Sequence, residues 1–127
     1  MDRKVIKTEK APLAIGPYSV AIKVENLVFT SGQIGLDPTT QMLVPGGVQA
    51  ETRQALTNLK QVLLAAGSAL ERVVKTTVFL RDMNDFQAMN SVYAVFFPID
   101  PPARSAVAAA GLPKGANVEI EAIGIVE

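Results

Sequence analysis

One stretch of the chain decides the fold: PPARSAVAAAGLPKGANVEIEAIGIV, residues 101–126. The pattern predicts two short strands joined by a turn at Leu112–Ala116, where Pro and Gly interrupt runs of small and apolar residues. Arg104 begins the first strand. Glu119 and Glu121 stand one pleat apart on the second strand, so both carboxylates point to the same face. That face is otherwise apolar, which indicates a wall shielded from bulk water.

Arg104 has two interpretations that the strand pattern leaves open. Its guanidinium stays protonated, so beside an apolar surface it needs an anion or several acceptors. The structural interpretation is an ion pair or a solvated charge, which is the usual role of Arg and Glu on nearby strands. The functional interpretation is a small pocket in which Arg104 binds a carboxylate with its bidentate fork and Glu119 holds a water molecule.

The composition is that of one domain, residues 1–127, with a large apolar fraction. Hydrophobic residues make up 49% of the chain and charged residues 19%, so we expect some apolar surface to lie between subunits. The 12 basic and 12 acidic residues cancel, which leaves no long-range positive field to attract nucleic acid. A nucleic-acid partner is therefore not expected.

The chain has no Cys and no His. This excludes thiol nucleophiles, disulfides, imidazole bases and zinc ligation of the usual kind, so no metal site is expected. The segment Met1–Lys4 lacks the apolar run of a signal peptide, and no segment approaches the roughly 20 apolar residues of a membrane span. We therefore expect a cytoplasmic protein without a membrane partner.

The N-terminal third predicts a loop followed by a hairpin. A Gly-Pro pair fixes the backbone before Tyr18 and presents this side chain at a defined angle, although a loop Tyr packs equally well on the edge of a core. Strands are predicted for Ser19–Val24 and Leu27–Thr30, separated by a two-residue turn. Ser31 and Gly32 follow directly, and glycine at a strand end indicates a bulge or a close backbone approach.

The middle of the chain predicts a helix and a strand. The helix, Val48–Ala66, has one apolar stripe at helical spacing, and its polar residues, including Glu51 and Asn58, lie largely off that stripe. The strand, Val73–Leu80, is rich in β-branched residues. We expect Val74 to face the same way as every second residue after it.

A second helix is predicted for Asn84–Phe97, with Asn84 as its N-terminal cap. Asn90 falls on the apolar face of this helix, where an unpaired amide costs roughly 1–3 kcal/mol. It therefore needs a fixed partner. The amide is either a satisfied structural group or the group that orients a polar neighbour such as Arg104.

The order of strands and helices predicts an α+β sandwich with one mixed sheet and both helices on one face. A strand that follows a helical crossover is expected to run parallel to an earlier strand of the same sheet. The other sheet face has no helix to cover it but still carries apolar side chains. Burial against copies of the same chain solves this, so we expect a closed homo-oligomer with ligand pockets between its subunits.

Six motifs occur in order along the chain: Gly16-Pro17-Tyr18-Ser19, Thr30-Ser31-Gly32-Gln33-Ile34, Asn84-Asp85-Phe86, Pro102-Ala103-Arg104-Ser105, Leu112-Pro113-Lys114 and Glu119-Ile120-Glu121-Ala122. Their spacing resembles that of the reactive-intermediate deaminase (RidA/YjgF) family over nearly the whole chain. The resemblance implies a chorismate-mutase-like two-layer sandwich with a six-stranded sheet. It also implies barrel-like homotrimers with a ligand cleft at each subunit interface.

The resemblance implies hydrolysis of 2-imino acids, such as 2-iminobutanoate and 2-iminopropanoate, to 2-keto acids and ammonia without a metal or organic cofactor. By the same resemblance Arg104 binds the substrate carboxylate and Glu119 places the water. The residues implied to line the cleft are Tyr18, Ser31, Gly32, Asn90 and, through its backbone, Ala106.

The chain departs from the family pattern at two positions. Ala106 replaces a Cys found in many members, which preserves a backbone contact but removes thiol chemistry. Pro101 replaces an aromatic residue and is expected to reshape the side-chain end of the pocket. An RNA-cleaving enzyme and a non-catalytic keto-acid sensor remain as alternatives, the first disfavoured by the zero net charge and the absent His.

Overall fold

The computed structural model describes residues 2–127, which form one six-stranded mixed sheet and two α-helices. The strands are β1 (Arg3–Ile6), β2 (Ala21–Val24), β3 (Leu27–Thr30), β4 (Val73–Leu80), β5 (Ala103–Ala108) and β6 (Val118–Ile125). The helices are α1 (Gly47–Ala65) and α2 (Phe86–Phe96). Neither helix within this range is both long and apolar enough to cross a membrane.

The strand order is β1-β2-β3-β6-β4-β5, and only β4 and β5 are parallel neighbours. β4 runs in the same direction as β3, as the crossover predicted, because both flank β6 in antiparallel pairing. The two strands of the 101–126 stretch are not paired with each other, since β4 lies between them. Arg104 therefore sits on an edge strand and Glu119 on an interior strand.

Both helices pack on the same face of the sheet, which confirms the expected α+β sandwich. Their apolar stripes and the inward residues of the central strands form one continuous core, which includes Leu56, Leu59 and Leu63 of α1, Met89 and Tyr93 of α2, and Val78, Val118 and Ile120 of the sheet. These side chains exclude water from the helix side of the sheet. Burial of this apolar surface is the main stabilising term of the fold.

The second face of the sheet is left uncovered in the single chain, as predicted. Phe29, Val107 and Ile125 on β3, β5 and β6 are between 38% and 47% exposed on this open face. Each alternates with a residue that points toward the helices, so the apolar character of both faces follows from the period of two in the strands.

Two local predictions were wrong. Val74 is exposed rather than inward, because a register shift directly after Val73 turns Val73 into the core. Asn84 does not cap the second helix with its side chain. Instead, its backbone N–H donates to the carboxylate of Asp82 at 2.9 Å, and a turn of 3₁₀-helix precedes α2, which begins at Phe86.

Glu51 and Asn58, predicted to lie off the apolar stripe of α1, are buried polar anchors. The Glu51 carboxylate accepts hydrogen bonds from the backbone N–H of Asn117 at 2.8 Å and from its side-chain amide at 2.5 Å. The Asn58 amide donates to the carbonyls of Ile34 at 3.2 Å and Leu36 at 2.8 Å. α1 thereby holds the segment that precedes β6 and the segment that follows β3.

Ion pairs contribute little to the fold. Within residues 2–127 the one ion pair joins Arg72 Nη2 to Glu127 Oε2 at 3.2 Å, and both side chains are exposed. Exposed pairs of this kind stabilise a protein by about 0–1 kcal/mol. In the same range, no three His, Cys, Asp or Glu side chains lie close enough together to hold a metal ion.

Candidate active site

Apart from Ala106, the predicted site residues fall into two cavities on opposite faces of the sheet. The Glu119 cavity, on the open face, has a volume of about 540 Å³, and its polar wall is formed by Tyr18, Ser31, Gly32, Glu119 and Glu121. The Arg104 cavity has a volume of about 440 Å³ and lies where β5 meets α2, lined by Asn90, Tyr93, Phe97, Pro101, Pro102 and Arg104. The two cavities share no lining residue.

The strand register shows why Arg104 and Glu119 separate. Arg104 pairs with Thr76 of β4, whereas Glu119 pairs with Phe79 of the same strand. Paired residues point to the same face, and positions 76 and 79 differ by an odd number, so their side chains point to opposite faces. Within one chain the sheet therefore stands between the guanidinium and the carboxylate.

Glu119 occupies a half-buried position over a glycine. A Cβ placed on Gly32 would lie 2.6 Å from Oε2 of Glu119, so only glycine at this position leaves room for the carboxylate. Burial raises the pKa of Glu119, and the negative charge of Glu121 adds to the rise. A carboxyl group with a raised pKa is a better general base near neutral pH than an ordinary surface glutamate.

Ser31 and Tyr18 are held beside Glu119 by local hydrogen bonds. Ser31 Oγ donates to the carbonyl of Ser19 at 2.5 Å, and this bond ties the end of β3 to the loop before β2. The Tyr18 hydroxyl accepts from the backbone N–H of Ile15 at 3.2 Å, yet the side chain is 46% exposed. Tyr18 is therefore presented at the rim of the cavity rather than packed into the core.

Arg104 has no carboxylate partner among residues 2–127. Its Nη1 donates to Oδ1 of Asn90 at 2.7 Å, which is the contact predicted from the position of Asn90 on α2. Its Cζ lies 4.7 Å from the ring centroid of Tyr93 and 5.4 Å from that of Phe86. The guanidinium is thus oriented by an amide and two rings, none of which neutralises its charge.

Ala106 lies two residues beyond Arg104 on β5 and shares its face. Its side chain packs against the core on the helix side. The methyl group of Ala106 neither ionises nor forms hydrogen bonds, so any polar ligand contact at this position comes from the backbone of the edge strand β5. The change from Cys to Ala is compatible with that.

Sequence reasoning missed the contact between Arg104 and the rings of Phe86 and Tyr93. Both residues were assigned to the apolar stripe of the second helix, where an aromatic side chain is most often part of the core. Asn90 falls on the same stripe, four residues after Phe86 and three before Tyr93. An amide flanked at helical spacing by two rings is the signal that could have indicated a cation-binding face.

Comparison with known proteins gives consistent results. Residues 8–126 match the family model described as Endoribonuclease L-PSP. The 2-iminobutanoate/2-iminopropanoate deaminase of Mus musculus is 55% identical over 123 residues, covering 97% of this chain and 91% of that protein. The crystal structure of yeast YEO7 has a TM-score of 0.96 at 45% identity, covering 99% of this chain and 100% of that chain.

A crystal structure of E. coli TdcF with bound serine is also similar, with a TM-score of 0.93 at 43% identity, covering 98% of this chain and 99% of that chain. The similarity thus extends over almost the full length in sequence and in fold. It includes the motifs that carry the candidate site. The chain belongs to the RidA/YjgF family.

Proposed function

We propose that this protein hydrolyses 2-imino acids of the 2-iminobutanoate and 2-iminopropanoate type to 2-keto acids and ammonia. The observation that carries the proposal is Arg104, a cation beside a cavity with no carboxylate partner among residues 2–127. A substrate carboxylate supplies the missing charge. Relatives such as the mouse protein are named for this reaction, which further supports the proposal.

The active site is formed between two subunits of a homotrimer. Arg104, Asn90 and the backbone of Ala106 come from one subunit, and Glu119, Tyr18, Ser31 and Gly32 come from its neighbour. Two observations support this arrangement. The sheet separates Arg104 from Glu119 within one chain, and the open face of the sheet carries apolar side chains that association would bury.

Arg104 binds the substrate carboxylate through paired charge-assisted hydrogen bonds, and this fixes the adjacent imine carbon over Glu119 of the neighbouring subunit. Glu119 accepts a proton from a water molecule as the water oxygen bonds to the imine carbon. Glu119 passes this proton to the imine nitrogen, which gives an amino alcohol. Glu119 then takes the hydroxyl proton as the keto oxygen forms and delivers it to the nitrogen as the carbon–nitrogen bond breaks, so the nitrogen leaves as ammonia carrying both protons of the water. No redox step occurs.

Positioning and one general base are sufficient for this chemistry. Free imines hydrolyse readily in water, so the barrier to be lowered is small and no covalent nucleophile is required. Ser31 and the backbone at Gly32 shape the wall beside the water, and Tyr18 closes the rim. Among residues 2–127, the Tyr18 hydroxyl only accepts a hydrogen bond and the Ser31 hydroxyl only donates one. Tyr18 can therefore still donate to a ligand, and Ser31 can still accept from one.

A mixture of two inactive variants tests both the residues and the shared site. Arg104→Ala and Glu119→Gln chains are unfolded together and refolded at equal concentration. A site is intact when the subunit that provides Arg104 is the Glu119→Gln variant and the subunit that provides Glu119 is the Arg104→Ala variant. In random assembly each condition is met half of the time, so about a quarter of wild-type activity should return. Ammonia release from 2-iminobutanoate, generated by a dehydratase, is the measurement.

A mixture that assembles but stays inactive would contradict a site shared between subunits. Each variant refolded alone is the control and is expected to remain inactive. If either variant alone releases ammonia at a near-normal rate, the corresponding residue has no part in the mechanism. Mass measurement of the refolded mixture shows whether mixed trimers have formed.

Cleavage of RNA is the second candidate, because the matching family model is described as an endoribonuclease. The Glu119 cavity is lined by acidic and neutral side chains, and Arg104 is the one cation that lines its own cavity among the described residues. Phosphate-rich ligands require several cations. An RNA affinity that falls steeply with salt would favour this alternative, and keto-acid binding without ammonia release would favour a sensor.

A further inference from the structure

Tyr93 is a buried side chain that the proposed mechanism does not use. It is 6% exposed and lies on α2, three residues after Asn90. Its hydroxyl makes a hydrogen bond of 2.7 Å with Oγ1 of Thr76, and its ring centroid lies 4.7 Å from Cζ of Arg104. The same ring therefore joins the centre of the sheet to the guanidinium on the edge strand.

The ring is held firmly enough to act as a support. Thr76 is fully buried and is the register partner of Arg104 across β4 and β5. Phe97 packs against Tyr93 with centroids 4.7 Å apart and an interplanar angle of 37°. The hydroxyl is thus anchored to the neighbouring strand, and the ring is wedged by a second aromatic side chain of the same helical segment.

An aromatic support suits a guanidinium that must keep its charge and its donors. A carboxylate beside Arg104 would occupy the N–H groups and neutralise the positive charge, whereas a ring attracts the cation through its π-face and leaves the edge of the fork unused. Within the described residues Asn90 takes one of the five donors. The remaining donors stay available to a ligand carboxylate.

The Tyr93 hydroxyl is engaged by Thr76 and keeps its proton. Burial raises the pKa of Tyr93, against smaller opposing effects of the Thr76 hydrogen bond and the Arg104 charge. The phenol is therefore neutral at neutral pH. Tyr93 therefore contributes to the site through its ring, which packs against the Arg104 guanidinium.

We propose that Tyr93 is a positioning residue for carboxylate binding: its ring, fixed through the hydroxyl by Thr76, holds the Arg104 guanidinium in the orientation that receives a 2-oxo or 2-imino acid. The inference rests on the proposed function of Arg104. It adds the ring of Tyr93 to the determinants of substrate affinity, and the Thr76 hydroxyl contributes only the smaller effect of restraining that ring.

The test is calorimetric titration of the full-length protein with 2-oxobutanoate, a keto acid of the product class. Tyr93→Met fills the space without a ring, and we expect the Kd to rise roughly tenfold, as loss of a desolvated cation–π contact predicts. Tyr93→Phe keeps the ring, so the Kd should stay within about threefold of wild type. In turnover, Tyr93→Met should raise KM more than it lowers kcat.

Met89→Ala is the matched control for lost packing in α2. Met89 is fully buried in the core and does not line the Arg104 cavity. We expect this variant to lower the melting temperature at least as much as Tyr93→Met while leaving the Kd for 2-oxobutanoate within twofold of wild type. Tyr93→Leu replaces Tyr93→Met if the latter fails to fold.

Arg104→Ala distinguishes failure of this inference from failure of the proposed function. An unchanged Kd in Tyr93→Met, with binding lost in Arg104→Ala, would reduce Tyr93 to a core residue and leave the proposed function standing. An equal rise in Tyr93→Phe and Tyr93→Met would assign the effect to the hydroxyl and overturn the role of the ring. Binding retained in Arg104→Ala would overturn both proposals.

Discussion

The Arg104 cavity and the Glu119 cavity hold their charged groups in opposite ways. Arg104 is supported by an amide and two rings on the helix side, which orient the cation and leave its charge intact. Glu119 lies over Gly32 and beside the like charge of Glu121, and this surrounding disfavours its ionised form. Within the part of the chain that the structure describes, the Arg104 cavity thus has no acidic residue in its lining, and the Glu119 cavity has no basic one. The sheet keeps the two apart within one chain, and in the proposed assembly a second copy of the chain brings them together.

The largest effect is expected from Arg104→Ala. Loss of a desolvated charge-assisted contact costs about 2–5 kcal/mol, so kcat/KM for 2-iminobutanoate should fall by roughly 10³-fold. Arg104→Lys keeps the charge without the fork and should recover only part of this loss. Steady-state ammonia release is the measurement, with circular dichroism to show that both variants remain folded. Near-normal turnover in Arg104→Ala would show that the Arg104 cavity has no part in the reaction, and the comparison of the two cavities would lose its functional meaning.

Glu119→Gln tests the opposite cavity. The amide has the same shape but cannot take a proton, so we expect kcat to fall by about 10²-fold, within the usual contribution of a general base. KM should change little, because the proposed mechanism assigns binding of the substrate carboxylate to Arg104. A plot of initial rate against imine concentration separates the two constants. Equal changes in kcat and KM would mean that Glu119 has a structural role.

Gly32→Ala sharpens the comparison by disturbing Glu119 alone. The added Cβ would lie 2.6 Å from Oε2, so the carboxylate must move, and a misplaced base is expected to lower kcat by roughly tenfold. Gly111→Ala is the matched control, since a Cβ there meets no atom within 4 Å. The same loss in both variants would argue against a special role for the close approach at Gly32.

Glu51→Ala examines how the strand of Glu119 is anchored. The change leaves the partly buried donors of Asn117 without their acceptor, so the free energy of unfolding should fall by about 1–3 kcal/mol. Urea denaturation of the variant and of the exposed control Glu71→Ala gives this difference. If Glu51→Ala is as stable as wild type, the clamp on Asn117 is dispensable.

The smallest effect is expected from Glu121→Gln. Glu119 acts as a base only when ionised, and the charge of Glu121 raises the pKa of Glu119. Removing that charge lowers the pKa, so the acid limb of the kcat/KM profile should shift to lower pH. A profile recorded from acid to neutral pH in both proteins measures the shift. A limb that stays in place or moves upward contradicts the assigned coupling.

The sequence was sufficient for the layers of the fold, and it singled out charged residues that the structure places at two cavities. Helical and strand periods placed both helices and the strands β2, β3 and β4 near their observed bounds, since apolar periodicity dominates these segments. The motif around Arg104 and the Glu119 strand identified both charged groups. The contact between Asn90 and Arg104 also followed from an amide on an apolar stripe, which must find a partner.

What could not be predicted depends on register and on tertiary neighbours. A one-residue shift after Val73 exposed Val74, and strand periodicity does not contain such a shift. Glu51 is a surface residue by helical spacing and becomes a buried anchor only because Asn117 is folded against it. The opposite faces of Arg104 and Glu119 required the positions of their partners on β4, since the two strands are not neighbours.

The ion pair of Arg72 with Glu127, the only one among residues 2–127, has a consequence for how the protein responds to added salt. An exposed ion pair of this kind contributes about 0–1 kcal/mol, so its screening by added salt is expected to change the stability of the fold little. The proposed binding of an organic acid by the Arg104 guanidinium is more sensitive to salt, because small anions compete for the same cation. At high concentration, chloride or sulfate would compete with the ligand for Arg104 while the protein stays folded. Salt would therefore act as a reversible inhibitor of ligand binding.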